Sequence, residues 1–220
     1  MLSQNNRLVR VDIATALLSR KRDHSWLRYV TMGDEKWVLY ANVKRQRSWV
    51  DKGATAGSTA KPEFHQKKVM LCIWWNSEGI VHYEFLPKNT TVTAEVYCEQ
   101  LQRLTDAMPP NRPKILLHDN ARPHVARSTR EKLLQLGWET LPHPPYSPDL
   151  APSDYHLFRS LQNFLQGKTF GSTDEVQNAV REYLSLKNPD FYHKGIFALP
   201  ARWRYVIINE GDYVPDNLKN

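Results

Sequence analysis

The stretch "KILLHDNARPHVA", residues 114–126, combines a short apolar run with polar residues that follow it directly. Ile115–Leu117 is a short apolar run typical of a buried strand, and Pro123 prevents its continuation. Between them the chain places Asp119 and Asn120 at the end of the predicted strand. Such residues commonly begin a turn and cap the following helix, but the ends of central strands are also where α/β proteins hold catalytic groups. Taken alone, this stretch leaves both interpretations open.

The flanking sequence predicts an alternation of strands and helices. Apolar and alternating runs predict strands over residues 26–40, 67–75, 79–86, 115–117 and 139–141. Helical spacing predicts helices over residues 6–23, 93–108, 124–136, 155–166, 173–187 and 190–209. The fourth of these helices is expected to be capped by Ser153 or Asp154, and the last to break at Pro200. Because the early strands pair as a hairpin and the later ones alternate with helices, we expect an α/β fold with a mixed β-sheet flanked by helices.

Composition excludes several classes of protein. The chain has 220 residues, 41% of them hydrophobic, which is enough for one domain with a substantial core. No apolar run approaches the roughly 18 residues of a membrane span, and the N-terminus lacks the apolar stretch of a signal peptide. The two cysteines, Cys72 and Cys98, have no CxxC partner, so neither a disulfide framework nor a zinc finger is indicated.

Much of the net charge of +7 lies in one stretch, residues 41–68. Its basic residues are Lys44, Arg45, Arg47, Lys52, Lys61, Lys67 and Lys68. Such a stretch is suited to contact DNA phosphates, although a solvated loop has the same composition. We add Arg122, which follows the predicted strand end, as another candidate DNA contact.

Three aspartates occupy positions at which carboxylates could converge. Asp34 lies in the first predicted strand, Asp119 at the end of a later strand, and Asp154 in the first turn of a helix after a proline-rich connection. Hydrolysis of a phosphodiester by two metal ions requires such a cluster of hard oxygen ligands. Spacing alone does not establish convergence, because many other triplets of acidic residues could be drawn. Histidines near these positions (His118, His124, His143 and His156) leave a zinc site open, but they lack HExxH or similar ligand spacing.

Several motifs together resemble a known family. "MGDEKWVLY" (residues 32–40), "HDNARPHVA" (118–126) and "LPHPPYSPDLAPSDYHLF" (141–158) are similar to the catalytic signatures of mariner transposases. In that family 34 residues separate the second and third catalytic aspartates, and 34 residues lie between Asp119 and Asp154 here. "STAKP", "KKVMLCIWW", "FYHKGI" and "LPARW" also resemble mariner sequence, so the similarity covers nearly the whole chain.

The resemblance implies an RNase H-like fold with a DNA-processing site. Asp34, Asp119 and Asp154 would hold two Mg²⁺ or Mn²⁺ ions, while His118 and Asn120 would support the site or form its turn. The activity implied is cleavage of double-stranded transposon ends, followed by transfer of the 3′-OH into TA target DNA in the nucleus. Residues 1–24 would form a helical linker and 25–220 the catalytic domain, whose basic insertion at about 44–67 would contact DNA and the second subunit of a homodimer.

The chain also departs from the mariner pattern. Mariner transposases carry two helix-turn-helix units before the catalytic domain, and the resemblance implies that this chain begins in the linker, so recognition of transposon ends is expected to be weak. Ala41 and Asn76 stand where many relatives have an acidic residue. An active catalytic domain, a domesticated remnant that mainly binds DNA or a partner, and a related nuclease that does not join strands therefore remain as alternatives.

Overall fold

Five strands form one mixed sheet in the computed structural model, which describes residues 2–43, 66–88, 90–215 and 218. The strands are β1 (Val30–Leu39), β2 (Lys68–Asn76), β3 (Gly79–Phe85), β4 (Ile115–Leu117) and β5 (Glu139–Thr140). Their order across the sheet is β3-β2-β1-β4-β5. β1 pairs with β2, and β2 with β3, in antiparallel fashion, whereas β4 runs parallel to both β1 and β5. The predicted mixed sheet is therefore confirmed.

Eight α-helices surround the sheet in the part of the chain that the structure describes. They are α1 (Gln4–Ser19), α2 (Ala94–Ala107), α3 (Arg122–Val125), α4 (Arg127–Gln135), α5 (Arg159–Leu165), α6 (Thr173–Ser185), α7 (Pro189–Phe197) and α8 (Leu199–Ile208). None of the helices in these described ranges is both long and apolar enough to cross a membrane.

Three predicted elements differ from the observed ones. The first helix ends at Ser19 rather than near residue 23, and residues 25–29 form a 3₁₀ turn before β1. The helix predicted over 124–136 is divided into α3 and α4, because Ala126 between them has an extended backbone with ψ 151°.

The break predicted at Pro200 is confirmed, since α7 ends at Phe197 and Pro200 lies in the first turn of α8.

Alternation along the strands divides the core into two layers. Ile115 and Leu117 of β4 face the larger apolar cluster, with side chains from α1 and α5 to α8. Leu116 faces the opposite cluster, with side chains from α2 and α4. Trp74, Trp75 and Trp203 are fully or almost fully buried, so these rings belong to the core. The sheet is thus covered on both faces, and its central strands end at a rim between the two helical layers.

Candidate active site

The register of β1 and β4 brings two of the three predicted aspartates together. β1 runs parallel to β4, with Met32 paired to Leu117. Asp34 lies two residues after Met32 within β1, and Asp119 lies two residues beyond the end of β4. Neighbouring strands lie about 4.8 Å apart, and side chains two residues apart point to the same face. The two carboxylates therefore lie on adjacent parts of neighbouring chain segments, and the charge of Asp119 acts on Asp34.

Asp119 is held by a local hydrogen-bond network. Its Oδ1 accepts hydrogen bonds from the backbone N–H of Ala121 (2.9 Å) and from Nδ1 of His124 (2.7 Å). The other ring nitrogen of His124 lies 3.1 Å from Oε2 of Glu35. Among the described residues no hydrogen bond reaches Oδ2 of Asp119, so that oxygen is available to a ligand.

The protonation of this network follows from its geometry. Burial opposes a charge on His124, but its hydrogen bonds with Asp119 and Glu35 outweigh burial and raise its pKa to about 10. Burial also opposes a charge on Asp119, but the hydrogen bonds from His124 and Ala121 lower its pKa to about 2. At neutral pH a charged His124 therefore joins the ionised Asp119 to the Glu35 side chain.

Tyr97 and His118 complete a polar layer behind His124. The Tyr97 hydroxyl lies 2.9 Å from Nδ1 of His118, and the His118 and His124 rings stack with centroids 4.9 Å apart. Burial, followed by the charge of His124, lowers the pKa of His118 to about 3. Sequence analysis did not identify Glu35 or Tyr97 as part of the site. The available signal was the adjacency of Asp34 and Glu35, because consecutive strand residues serve opposite faces.

Asp154 enters the site from a π-helical segment, Ser153–Phe158, that leads into α5. The prediction that Ser153 or Asp154 caps the helix is wrong, because both lie inside the helical segment. Ser153 Oγ instead accepts a hydrogen bond of 3.0 Å from the indole N–H of Trp75. Asp154 and Asp119 line the same cleft of about 420 Å³, together with a rim that includes Pro144 and Pro148.

The three carboxylates interact electrostatically. Burial, the charge of Asp154 and the charge of Glu35 raise the pKa of Asp34 well above its usual value, and Asp119 contributes in the same direction. Burial and the charge of Asp119 raise the pKa of Asp154, against the opposing effect of Lys36. Repulsion of this kind stabilises a bound cation, because a cation neutralises the crowded charges.

The donor chemistry of the cluster fits Mg²⁺ or Mn²⁺. Among the described residues no three His, Cys, Asp or Glu side chains are arranged to hold one metal ion by themselves. Mg²⁺ is ordinarily bound through one or two carboxylates together with water and substrate phosphates. An incomplete cage of hard carboxylate oxygens at the mouth of a cleft is consistent with that mode of binding.

Most of the predicted basic DNA contacts lie outside the described residues. These are Lys44, Arg45, Arg47, Lys52 and Lys61, which belong to the predicted insertion. Lys67 and Lys68 line a separate cleft of about 410 Å³ with Trp37 and Lys88, and the Lys68 ammonium lies 4.2 Å from the Trp37 ring centroid. Arg122 is exposed in α3, three residues after Asp119. DNA contact by all eight residues stays a prediction.

The fold and the carboxylate cluster define the class of protein. A mixed sheet with one carboxylate within β1, one just beyond the parallel strand β4 and a third on a neighbouring helical segment has the RNase H-like fold of the DDE type. A family described as "Transposase (partial DDE domain)" matches residues 39–117. The chain belongs to the mariner transposase family.

Two curated relatives and two solved structures illustrate the similarity. The chain is 43% identical over 206 residues to the Mariner Mos1 transposase of Drosophila mauritiana, which covers 90% of this chain and 60% of that protein. It is 42% identical over 219 residues to the Histone-lysine N-methyltransferase SETMAR of Homo sapiens, which covers 96% of this chain and 32% of that protein. The chain therefore spans about three fifths of the length of the Mos1 transposase and about one third of that of SETMAR.

Among solved structures, the catalytic domain of Mos1 mariner transposase superposes with a TM-score of 0.83 at 36% identity, covering 98% of both chains. The Mos1 strand transfer complex gives a TM-score of 0.90 at 43% identity, covering 98% of this chain and 64% of that one. Other matching structures are Mos1 paired-end complexes with Mn and with Mg.

Proposed function

We propose that this chain is the catalytic domain of a mariner-type DNA transposase. In this proposal Asp34, Asp119 and Asp154 hold two Mg²⁺ or Mn²⁺ ions. The domain cleaves phosphodiesters at the ends of a transposon and joins the freed 3′-OH to target DNA at TA dinucleotides. The observation that supports the proposal is the pairing of β1, which contains Asp34, with β4, which leads to Asp119, together with the cleft that Asp119 shares with Asp154.

Each part of the site has a role in this reaction. The bound ions would activate the attacking oxygen and stabilise the leaving oxygen. His124 holds Oδ1 of Asp119, which lines the cleft, so the carboxylate is kept in one orientation. Lys36 is a cation that acts electrostatically on Asp154, and it is suited to interact with a DNA phosphate there.

The partners and location follow from the same proposal. Double-stranded DNA is the substrate, as transposon ends and as TA target, and the predicted insertion at about 44–67 contacts it. The matching Mos1 structures are named as paired-end and strand transfer complexes, which supports a homodimer that handles two ends together. Because the substrate is genomic, the protein acts in the nucleus. Residues 1–24 serve as the helical linker to the catalytic domain, 25–220.

The second candidate function is that of a domesticated remnant that binds DNA or a partner but cuts poorly. This chain matches 32% of the Histone-lysine N-methyltransferase SETMAR of Homo sapiens, so sequence similar to it occurs within a longer protein. The presence of aspartate at all three candidate ligand positions favours the active enzyme.

The test combines metal binding with DNA cleavage in the same samples. Mn²⁺ is titrated calorimetrically into the purified chain, and nicking of supercoiled plasmid is followed by gel. Asp154→Asn is expected to abolish both, whereas Asp106→Asn, a surface carboxylate on α2, is expected to change neither. Absence of Mn²⁺ binding and nicking in the parent protein would instead favour the remnant.

Strand joining needs a separate assay. A short duplex with a free 3′-OH is incubated with the protein, Mn²⁺ and supercoiled plasmid, and the junctions are sequenced. Joining at TA is expected. Nicking without any joined product would favour the related nuclease over the transposase.

A further inference from the structure

Arg10 of α1 is a completely buried arginine whose partners lie far away in the chain. Its Nη1 and Nη2 donate to the two carboxylate oxygens of Asp149 at 2.8 and 2.7 Å. Nη1 also donates to Ser147 Oγ at 2.7 Å, and Nε donates to the carbonyl of Gly211 at 2.9 Å. The guanidinium is therefore bonded to both the proline-rich turn and the C-terminal turn.

Asp149 also accepts hydrogen bonds from the C-terminal part of the chain. Its Oδ2 accepts a hydrogen bond of 2.9 Å from the backbone N–H of Val214. Its carbonyl accepts one of 2.9 Å from Nη1 of Arg202 on α8. The Arg202 guanidinium also lies 3.7 Å from the ring centroid of Tyr155, the residue next to Asp154. We call Arg10, Asp149 and Arg202 the buried clamp.

A short backbone path leads from the buried clamp to Asp154. The 3₁₀ turn Pro148–Leu150 is closed by a hydrogen bond of 3.0 Å from Leu150 N–H to the Ser147 carbonyl. The Ala151 carbonyl then accepts hydrogen bonds from the N–H groups of Asp154 (2.9 Å) and Tyr155 (3.1 Å). Asp149 and Asp154 are therefore five positions apart in the chain, and hydrogen-bonded turns connect them.

We infer that Arg10 is a positioning residue which, through Asp149, fixes the turn that presents Asp154 to the metal site. This inference rests on the proposed function. A buried ion pair is weak evidence for stability as such, because an apolar pair of the same volume often stabilises a fold as well. Its fixed, bidentate geometry is what an apolar pair lacks, and a carboxylate ligand carried on a loop needs such support from the residues around it.

The test uses two conservative substitutions in the full chain. Arg10→Lys keeps the charge but cannot form the bidentate pair. Asp149→Asn keeps one acceptor but replaces the oxygen that accepts from Arg10 Nη2 and Val214 N–H. The control is Val206→Ala, which leaves a cavity in the core where α8 packs against α1 but leaves the buried clamp unchanged.

Two measurements distinguish positioning from general stabilisation. Calorimetry gives the affinity for Mn²⁺, and hydrogen exchange of the metal-free protein gives the protection of residues 146–155. Arg10→Lys and Asp149→Asn are expected to weaken Mn²⁺ binding by about tenfold and to accelerate exchange in that segment. Val206→Ala is expected to change neither, although it lowers the melting temperature.

The outcomes separate this inference from the proposed function. Equal losses of Mn²⁺ affinity in all three variants, or unchanged affinity in both clamp variants, would overturn the positioning role. A parent protein that neither binds Mn²⁺ nor nicks DNA would refute the proposed function instead. In that case exchange at residues 146–155 decides the inference, and unchanged protection in both clamp variants overturns it.

Discussion

Asp119 and Asp154 face the same cleft but are supported in opposite ways. Asp119 follows directly from a buried strand, and its hydrogen-bond partners lie two and five residues farther along the chain. Asp154 lies on a π-helical segment after a proline-rich turn, and the turn is held by Arg10, more than 130 residues earlier. One carboxylate is placed by local sequence, and the other depends on tertiary contacts across the whole chain.

The difference has a consequence for how each half of the site responds to change. A strand end within a sheet is held in place by the neighbouring strands. Substitutions there are therefore expected to reduce metal binding and catalysis. The turn before Asp154 depends on a buried ion pair, so damage there is expected to appear first as lost stability. Substitutions at each support test this contrast.

The largest effect is expected for Asp119→Ala. Removal of a predicted metal ligand should lower Mn²⁺-dependent plasmid nicking by about 100-fold or more, while the sheet remains folded because Asp119 lies beyond the last paired residue of β4. Gel assays give the nicking rate, and circular dichroism follows thermal unfolding. Nicking at the parental rate by a folded Asp119→Ala protein would refute its assignment as a ligand.

Arg10→Met should have the largest effect on stability. The substitution leaves Asp149 charged, largely buried and without its bidentate partner, which costs about 3–5 kcal/mol in comparable cases. Urea denaturation measures the free energy of unfolding. The double variant Arg10→Met/Asp149→Leu is expected to recover most of the loss, because no unpaired charge remains. A single-variant cost below about 1 kcal/mol would show that the pair is not effectively buried.

His124→Asn tests the local support of Asp119. Loss of the ring that joins Asp119 to Glu35 is expected to lower Mn²⁺ affinity or nicking by about 10–100-fold. His193→Asn, an exposed histidine on α7, is the matched control. Equal effects of the two substitutions would mean that the His124 bridge does not position Asp119.

Sequence reasoning reached the strand end more easily than the turn. The apolar run Ile115–Leu117 and the polar residues after it are consecutive, so one short window contains both the strand and its carboxylate. The alternation rule for strands also sufficed to predict a mixed sheet. Local signals therefore predicted the mixed sheet, whereas the choice of Asp34, Asp119 and Asp154 as ligands came from the resemblance to mariner transposases.

The tertiary supports were not predictable from single windows. Arg10 has the pattern of an ordinary residue on an amphipathic helix, and only the folded chain brings it to Asp149. Ser153 is a common helix-capping residue, but the nearby Trp75 indole donates to its hydroxyl within a π-helical segment. These contacts connect residues more than 70 positions apart, and no propensity or spacing rule contains that information.

Asp34→Asn is expected to stabilise the metal-free protein modestly. Burial and the neighbouring charges of Asp154 and Glu35 raise the pKa of Asp34, so a neutral side chain of the same shape relieves repulsion. We expect a gain of about 1 kcal/mol, which corresponds to a melting temperature higher by about 2–4 °C in a chain of this size. The melt is recorded in EDTA, and the same variant should no longer bind Mn²⁺. A lower melting temperature would mean that the Asp34 carboxylate supports the fold itself.

The smallest effect is expected for Arg20→Met. This variant tests whether burial or bidentate geometry determines how much the Arg10–Asp149 pair contributes to stability. Arg20 forms a bidentate pair with Glu139, as Arg10 does with Asp149. The side chains of Arg20 and Glu139 are 32% and 50% exposed, whereas those of Arg10 and Asp149 are 0% and 11% exposed. Exposed pairs contribute about 0–1 kcal/mol, because water already solvates both charges. Urea denaturation of Arg20→Met should therefore show a loss below about 1 kcal/mol that shrinks further at high salt. A loss as large as that of Arg10→Met would show that bidentate geometry alone determines the contribution, and the contrast between the two supports of the site would no longer rest on burial.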